Sequence, residues 1–184
     1  MSIQVTTHLE LMRDSSKAFP IVMDKSAIRT AWIWHCGYRS LFPISEMTNI
    51  EELVIGTLPD ASLDMLSKLP RLRHLRIVHM PKITSLEVLE RLPDIEILSL
   101  STSPSWDASR KCTFVDSLAP IVKLPKLRQL ELFGICPPDK SLRELLLCPN
   151  LESARFSQYP KDEVDDFYQR TGIADAYASE ASFQ

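Results

Sequence analysis

A chain of 184 residues, 45% hydrophobic and 24% charged, has the length of one domain and enough apolar material for a core. Its formal net charge of −3 argues against nucleic acid or an anionic membrane surface as the partner. Glycine is scarce at 4 and proline plentiful at 13, an imbalance that a repeat along the chain accounts for.

Residues 1–27 alternate weakly, Ile3 with Val5 and Leu9 with Leu11, which predicts short strands or a mixed N-terminal cap. The opening MSIQVTTHLELMRDSSKAF lacks the apolar stretch of roughly 7–15 residues that a signal peptide needs. No stretch approaches the roughly 18 apolar residues of a membrane span. Cys36, Cys112, Cys136 and Cys148 include no C-x-x-C pair, so free thiols in a reducing cytoplasm are expected.

From residue 28 one pattern recurs. Apolar residues fall at relative positions one, four and six in Ile28/Ala31/Ile33, Ile50/Leu53/Ile55, Leu72/Leu75/Ile77, Ile95/Leu98/Leu100, Leu127/Leu130/Leu132 and Leu151/Ala154/Phe156. The starts are 22, 22, 23, 32 and 24 residues apart. Near-constant spacing of this size means a solenoid. Ahead of the strand unit stand Leu66-x-x-Leu69-Pro70, Leu89-x-x-Leu92-Pro93, Ile121-x-x-Leu124-Pro125 and Leu145-x-x-Cys148-Pro149; Ile44-x-x-Met47-Thr48 lacks the proline. Proline stops a helical turn and pushes the residue before it to extended geometry, so each coil turns from a convex helical segment into a concave strand.

The pattern resembles the leucine-rich repeat family, L-x-x-L-x-L-x-x-N/C-x-L, over about residues 28–159. Its 22-residue spacing is similar to that of the internalins and the protein-phosphatase-regulatory class. Leu66, Leu69, Leu72, Leu75, Ile77, Met80, Ile83, Leu86, Leu89 and Leu92 follow that version through one coil. The resemblance implies an α/β solenoid: a right-handed superhelix with a parallel concave sheet of about six strands, short helices or 3-10 turns on the convex side, and a helical C-terminal cap. It implies a single domain, 1–184, with an N-terminal cap (1–27), repeats (28–159) and a cap helix with tail (160–184). The ninth position departs from the family's Asn or Cys. It reads Cys36, Leu58, Met80, Ser103, Ile135 and Tyr159, so no asparagine ladder can form and apolar packing must hold those loops.

At position two the charge alternates without exception: Arg29, Glu51, Arg73, Glu96, Arg128, Glu152. Parallel strands lie about 4.8 Å apart, so each charge has opposite neighbours, an exposed ladder that also opposes a slipped register. The fourth coil is 32 residues long, its excess falling in STSPSWDASRKCTFVD, residues 101–116. Insertions in repeats map to loops and often carry function. Trp106 is either tucked onto the coil edge or a partner anchor. In YPKDEVDDFYQRTGI, Val164, Phe167 and Tyr168 share one helical face, acids crowd the N-terminal end, and Gly172 suits the stop. IADAYASEASFQ is small and polar, and a frayed tail is expected there.

No phosphate-cradling loop, H-E-x-x-H or G-x-S-x-G motif is present. His35 beside Cys36 resembles a catalytic pair on paper, but the register points position eight outward and nine inward. No catalytic residue, metal or cofactor is therefore expected. Outward strand positions three, five and seven gather Trp32, Trp34, Glu52, His74, Arg76, Glu131, Phe133 and Arg155, with His79 just beyond β-strand position seven. Tryptophan and arginine are enriched at interface hot spots. Trp32 and Trp34 either pack under the N-terminal cap or face a partner. The expectation is a monomeric, cytoplasmic, non-catalytic module that binds a protein through the concave face and loop 101–116. Resemblance in size and layout to short bacterial repeat proteins that neutralise toxins points to an inhibitor or immunity protein. A regulatory adaptor of a signalling enzyme is the alternative.

Overall fold

Two apolar residues one apart, then a short turn closed by an extended residue, give each coil a strand on one side and a tight helical turn on the other. The computed structural model describes residues 7–182. Its strands are β1 (His8–Met12), β2 (Thr30–Trp34), β3 (Glu52–Ile55), β4 (His74–Val78), β5 (Ile97–Ser101), β6 (Thr113–Phe114), β7 (Gln129–Phe133), β8 (Ile135–Cys136), β9 (Ser153–Ser157) and β10 (Ala174–Asp175). Eight form one sheet in the order β1-β2-β3-β4-β5-β7-β9-β10, and its pairings are parallel. The return path carries 3-10 turns at Phe42–Glu46, Asp64–Lys68, Glu87–Arg91 and Arg143–Leu147, with a short helix at Ala119–Val122 in the long coil.

The six expected strands are all present, and the sheet is longer by one at each edge. At the start, Leu9 lies opposite Ala31 and Leu11 opposite Ile33, so β1 continues the 22-residue register one coil earlier. The first position of that coil would be Thr6, which is polar, and this hid the repeat unit. Ile3 and Val5 lie outside the described residues.

The core is a stack of equivalent side chains. From Leu66 to Leu92, all ten apolar positions of one coil are enclosed. Burial of each contributes about 1.5–3 kcal/mol against its ordering entropy, so the stack is stable where a single coil is not. The change of period at Pro93 is visible directly. Leu92 ends the 3-10 turn at φ −116°, ψ 72°, with its N–H on the Leu89 carbonyl at 2.9 Å. Met47 takes the same conformation, φ −95° and ψ 61°, without a following proline. The proline therefore favours this turn without being required for it.

Three of the turn starts are completed by carboxylates of the next coil. Leucine cannot cap a turn with its own side chain. Asp60 accepts the Leu41 N–H at 2.8 Å, Glu144 that of Leu118 at 2.6 Å, and Glu163 that of Leu142 at 3.0 Å. Each also accepts the hydroxyl of the preceding serine, Ser40, Ser117 or Ser141. Position nine is met in two ways. Leu58, Met80 and Ile135 are buried, as apolar packing requires. Cys36 donates to the Leu11 carbonyl, and Tyr159 to that of Ile135 at 2.7 Å. In the long coil the inward residue is Thr102 rather than Ser103.

The ladder at position two resolves into discrete pairs. Arg73 holds Glu96 through two contacts of 3.0 Å, Arg128 holds Glu152 through two of 2.8 Å, and Arg29 approaches Glu51 at 3.9 Å. The Arg73 guanidinium keeps the Glu96 carboxyl below its usual range, chiefly by hydrogen bonding. At the far end, α3 (Lys161–Thr171; α1 and α2 are Pro104–Ala108 and Ala119–Val122) lays Phe167 into the core and donates the Tyr168 hydroxyl to the Ala154 carbonyl at 2.8 Å. Gly172 ends it with φ +67°, a left-handed conformation that suits glycine.

Candidate functional site

Period-two alternation aims three rows of side chains from the parallel strands into the concave face. The first row runs His8, Thr30, Glu52, His74, Ile97, Gln129 and Ser153, by strand pairing. The second runs Glu10, Trp32, Val54, Arg76, Ser99, Glu131 and Arg155. The third contains Trp34, Val78, Ser101, Phe133 and Ser157. Trp32, Arg76, Glu131 and Arg155 thus share one row, and Trp34 and Phe133 the next.

Neither tryptophan of β2 is shut beneath the N-terminal cap; both are half-buried. Their rings meet edge to face at 5.8 Å. Trp34 reaches over the next strand, where a Cβ at Gly56 would stand 2.8 Å from its ring. A side chain at 56 and the Trp34 ring cannot share this space.

At the C-terminal end of the strands the third row opens into a groove of about 660 Å³. Trp34, Val78, Trp106 and Phe133 form its apolar walls, and Arg76 and His79 bring polar groups into it. Trp106 comes from α1, in the long loop, and meets the His79 ring edge to face at 5.0 Å. His79 Nδ1 is buried without a hydrogen-bond partner. Burial, helped by His35, lowers the His79 pKa and favours the neutral ring.

The loop that supplies Trp106 is anchored. Asp107 accepts from the Ser157 hydroxyl at 2.7 Å and from Gln158 Nε2 at 2.9 Å. Beyond it β6 pairs with β8, and Asp116 N–H reaches the Thr84 carbonyl at 2.7 Å. The extra residues therefore fold across the ends of several coils, and Trp106 is half-buried at the groove rim rather than free.

The largest departure from the sequence reading is at the C-terminal segment. Instead of fraying, it pairs with β9 through β10 and then crosses the concave face toward β3. The Arg155 guanidinium lies 3.6 Å from the centroid of the Tyr177 ring, whose edge meets Phe133 at 6.3 Å. The backbone N–H groups of Ala178, Ser179 and Ser182 go to Glu131, Gln129 and Glu52. Glu180 pairs with Arg76 at 2.9 Å.

This crossing corrects the expected exposure of two site residues. His74 is 5% and Glu131 4% exposed. Glu131 also accepts the Ser99 hydroxyl at 2.8 Å. Burial lowers the His74 pKa, against the pull of Glu52, so the ring is held neutral. Glu52, Arg76, Phe133 and Arg155 stay on the face but touch the segment, whereas Trp34, His79 and Trp106 border the groove beside it. Sequence reasoning missed Asp175, Tyr177 and Glu180; their signal was one aromatic and two acids among the small residues of 174–182.

His35 and Cys36 diverge. His35 Nδ1 meets the Thr57 hydroxyl at 3.2 Å, while Cys36 turns to the Leu11 carbonyl. Burial raises the Cys148 thiol to about 11, and burial followed by nearby Cys112 raises Cys136 to about 12, which leaves neither a reactive thiolate. Among the described residues, no group of three His, Cys, Asp or Glu is placed to hold a metal ion, and no helix is long and apolar enough to cross a membrane.

No family model and no curated protein matches this chain. Among solved structures, it is similar to an internalin C2 (inlC2) from Listeria monocytogenes, with a TM-score of 0.53 and 17% identity over 74% of this chain and 55% of that one. It is also similar to an internalin (inlF) from the same organism, with a TM-score of 0.50 and 14% identity over 82% of this chain and 47% of that one. The chain thus spans about half the length of these two structures. Parallel stacking, the recurring turns and these likenesses together make the fold a leucine-rich-repeat solenoid.

Proposed function

We propose that this chain is a non-catalytic protein-binding module whose partner anchors in the groove at the C-terminal ends of the concave strands. The observation that carries this reading is the groove itself: about 660 Å³, walled by Trp34, Val78, Trp106 and Phe133, with Arg76 and His79 at its edge. A groove of this kind suits an apolar or aromatic side chain of a partner. Aromatic and arginine anchors over a stacked frame reduce the ordering cost of binding.

The narrower reading is an inhibitor or immunity protein that neutralises a cognate toxin or enzyme. It is supported by the repeat layout, and by a face with both signs of charge, from Glu52, Arg76 and Arg155. The partner is then a protein rather than nucleic acid or membrane, in keeping with the mild net charge of −3. A reducing, cytoplasmic setting and a monomeric free state belong to the same proposal; the first follows from the cysteine spacing.

The test is a paired capture from the native source with wild-type bait and a Val78→Ser/Trp106→Ala bait. The expected result is a partner recovered by the first and lost by the second. Equal recovery would exclude the groove. If the partner is toxic when expressed alone, rescue by the wild type and not by the groove variant supports neutralisation.

A further inference from the structure

We infer that segment 174–182 is an intramolecular occupant of the concave face. We further infer that the partner displaces it with an extended peptide segment carrying an aromatic side chain and, three residues on, a carboxylate. This rests on the reading that the concave face binds a protein. The segment crosses the sheet as a bound peptide would. Its three backbone donations, to Glu131, Gln129 and Glu52, depend little on its sequence. Three contacts do depend on sequence: Asp175 on Arg155 at 3.2 Å, Tyr177 against Arg155 and Phe133, and Glu180 on Arg76. Tyr and Glu at this spacing therefore define what the face recognises: a ring for a guanidinium and an acid for the next arginine along.

The hold is weak enough to be replaced. The Tyr177 residue is 65% exposed, and so is the Glu180 side chain. Of the segment, Ala181 alone is buried among the described residues. Exposed ion pairs contribute little to stability. What favours the segment is covalent attachment, which gives it a local concentration on the order of millimolar. The open groove lies directly beside it and shares Arg76 and Phe133 with it. A partner anchored there by one side chain could extend along the face, taking Arg76 from Glu180 and Arg155 from Tyr177.

A fluorescein-labelled peptide of sequence IADAYASEAS, residues 173–182, is the probe. Its binding by anisotropy is compared for the full wild-type chain and the full Tyr177→Ala/Glu180→Ala chain. Both changes are at exposed side chains, and matching melting curves would verify the fold. The released variant is expected to bind at least about tenfold more tightly, since the tethered competitor has lost its Tyr177 and Glu180 contacts. Adding Arg76→Ala/Arg155→Ala to that variant should abolish saturable binding. Equal affinity for wild type and released variant, or no binding to the released variant, overturns the proposal. So does a wild-type dimer by sedimentation that Tyr177→Ala/Glu180→Ala dissolves, since the face would then belong to a second copy. The probe assay contains no partner. Its failure is therefore separate from failure of the groove capture test, which leaves residues 174–182 unchanged.

Discussion

The Trp34 ring lies over the backbone of Gly56, so close that a Cβ there would be 2.8 Å from two ring carbons. The pair joins β2 to the next coil on the concave side. Gly56→Ala should push the ring from its place at the groove wall and destabilise the fold by about 1–3 kcal/mol, as overpacking does. A shifted tryptophan emission together with a lower denaturation midpoint would bear this out. An unchanged emission spectrum would show that the ring accommodates the methyl group.

Leu75 is fully enclosed between Leu53 and Leu98 in the strand register. Leu75→Ala should cost about 2–5 kcal/mol, from lost transfer energy and the cavity left behind. Chemical denaturation measures it, and a cost below about 1 kcal/mol would mean that the coil collapses to fill the space.

Arg73 is held by Glu96 on one side and faces Glu51 on the other. Reversing its charge therefore brings three acids together, whereas Arg73→Ala only removes a pair. Arg73→Glu should melt below Arg73→Ala at low salt, with the gap narrowing as salt is raised. Equal melting temperatures would make the alternating charges irrelevant to stability.

Glu144 caps the turn of the preceding coil through the Leu118 N–H and the Ser117 hydroxyl. Glu144→Ala should cost about 1 kcal/mol, the usual scale for losing such a cap. Glu144→Gln retains an acceptor and should recover most of it. If the glutamine variant is as unstable as the alanine one, the carboxylate's charge rather than its position matters.

His74 is buried and neutral, with its pKa below the ordinary 6.5. Because the unfolded chain binds the proton more readily, the contribution of this residue is complete above about pH 6.5. It is lost as pH falls from there toward the lower native value. His74→Gln should flatten the dependence of the denaturation midpoint between about pH 7.5 and 5. An unchanged slope would assign the acid sensitivity to His79 or to carboxylates.

Much of this architecture was legible in the residues. Ile28, Ala31 and Ile33 and their counterparts set the phase of six strands, and Leu92 before Pro93 marked where turn becomes strand. The same phase placed Trp32, Arg76 and Phe133 on one side. Such features are readable because each is enforced locally and again one coil later, so that a single pattern reports its own repetition. The strand at Leu9 and Leu11 was readable, but its place in the repeat was not, because Thr6 stands in the sequence where the 22-residue spacing calls for an apolar residue.

By itself, then, the sequence determined the coil, its inward residues and its concave rows, since side-chain alternation and the proline stop act within a few bonds. Only the tertiary structure decided which of those outward residues are available. Glu180 reaches Arg76 across 104 positions, and Gln158 reaches Asp107 across 51. Contacts of that range carry no period. They arise because stacking brings distant coils within reach of one short segment, whose few polar and aromatic groups find complementary ones on the face.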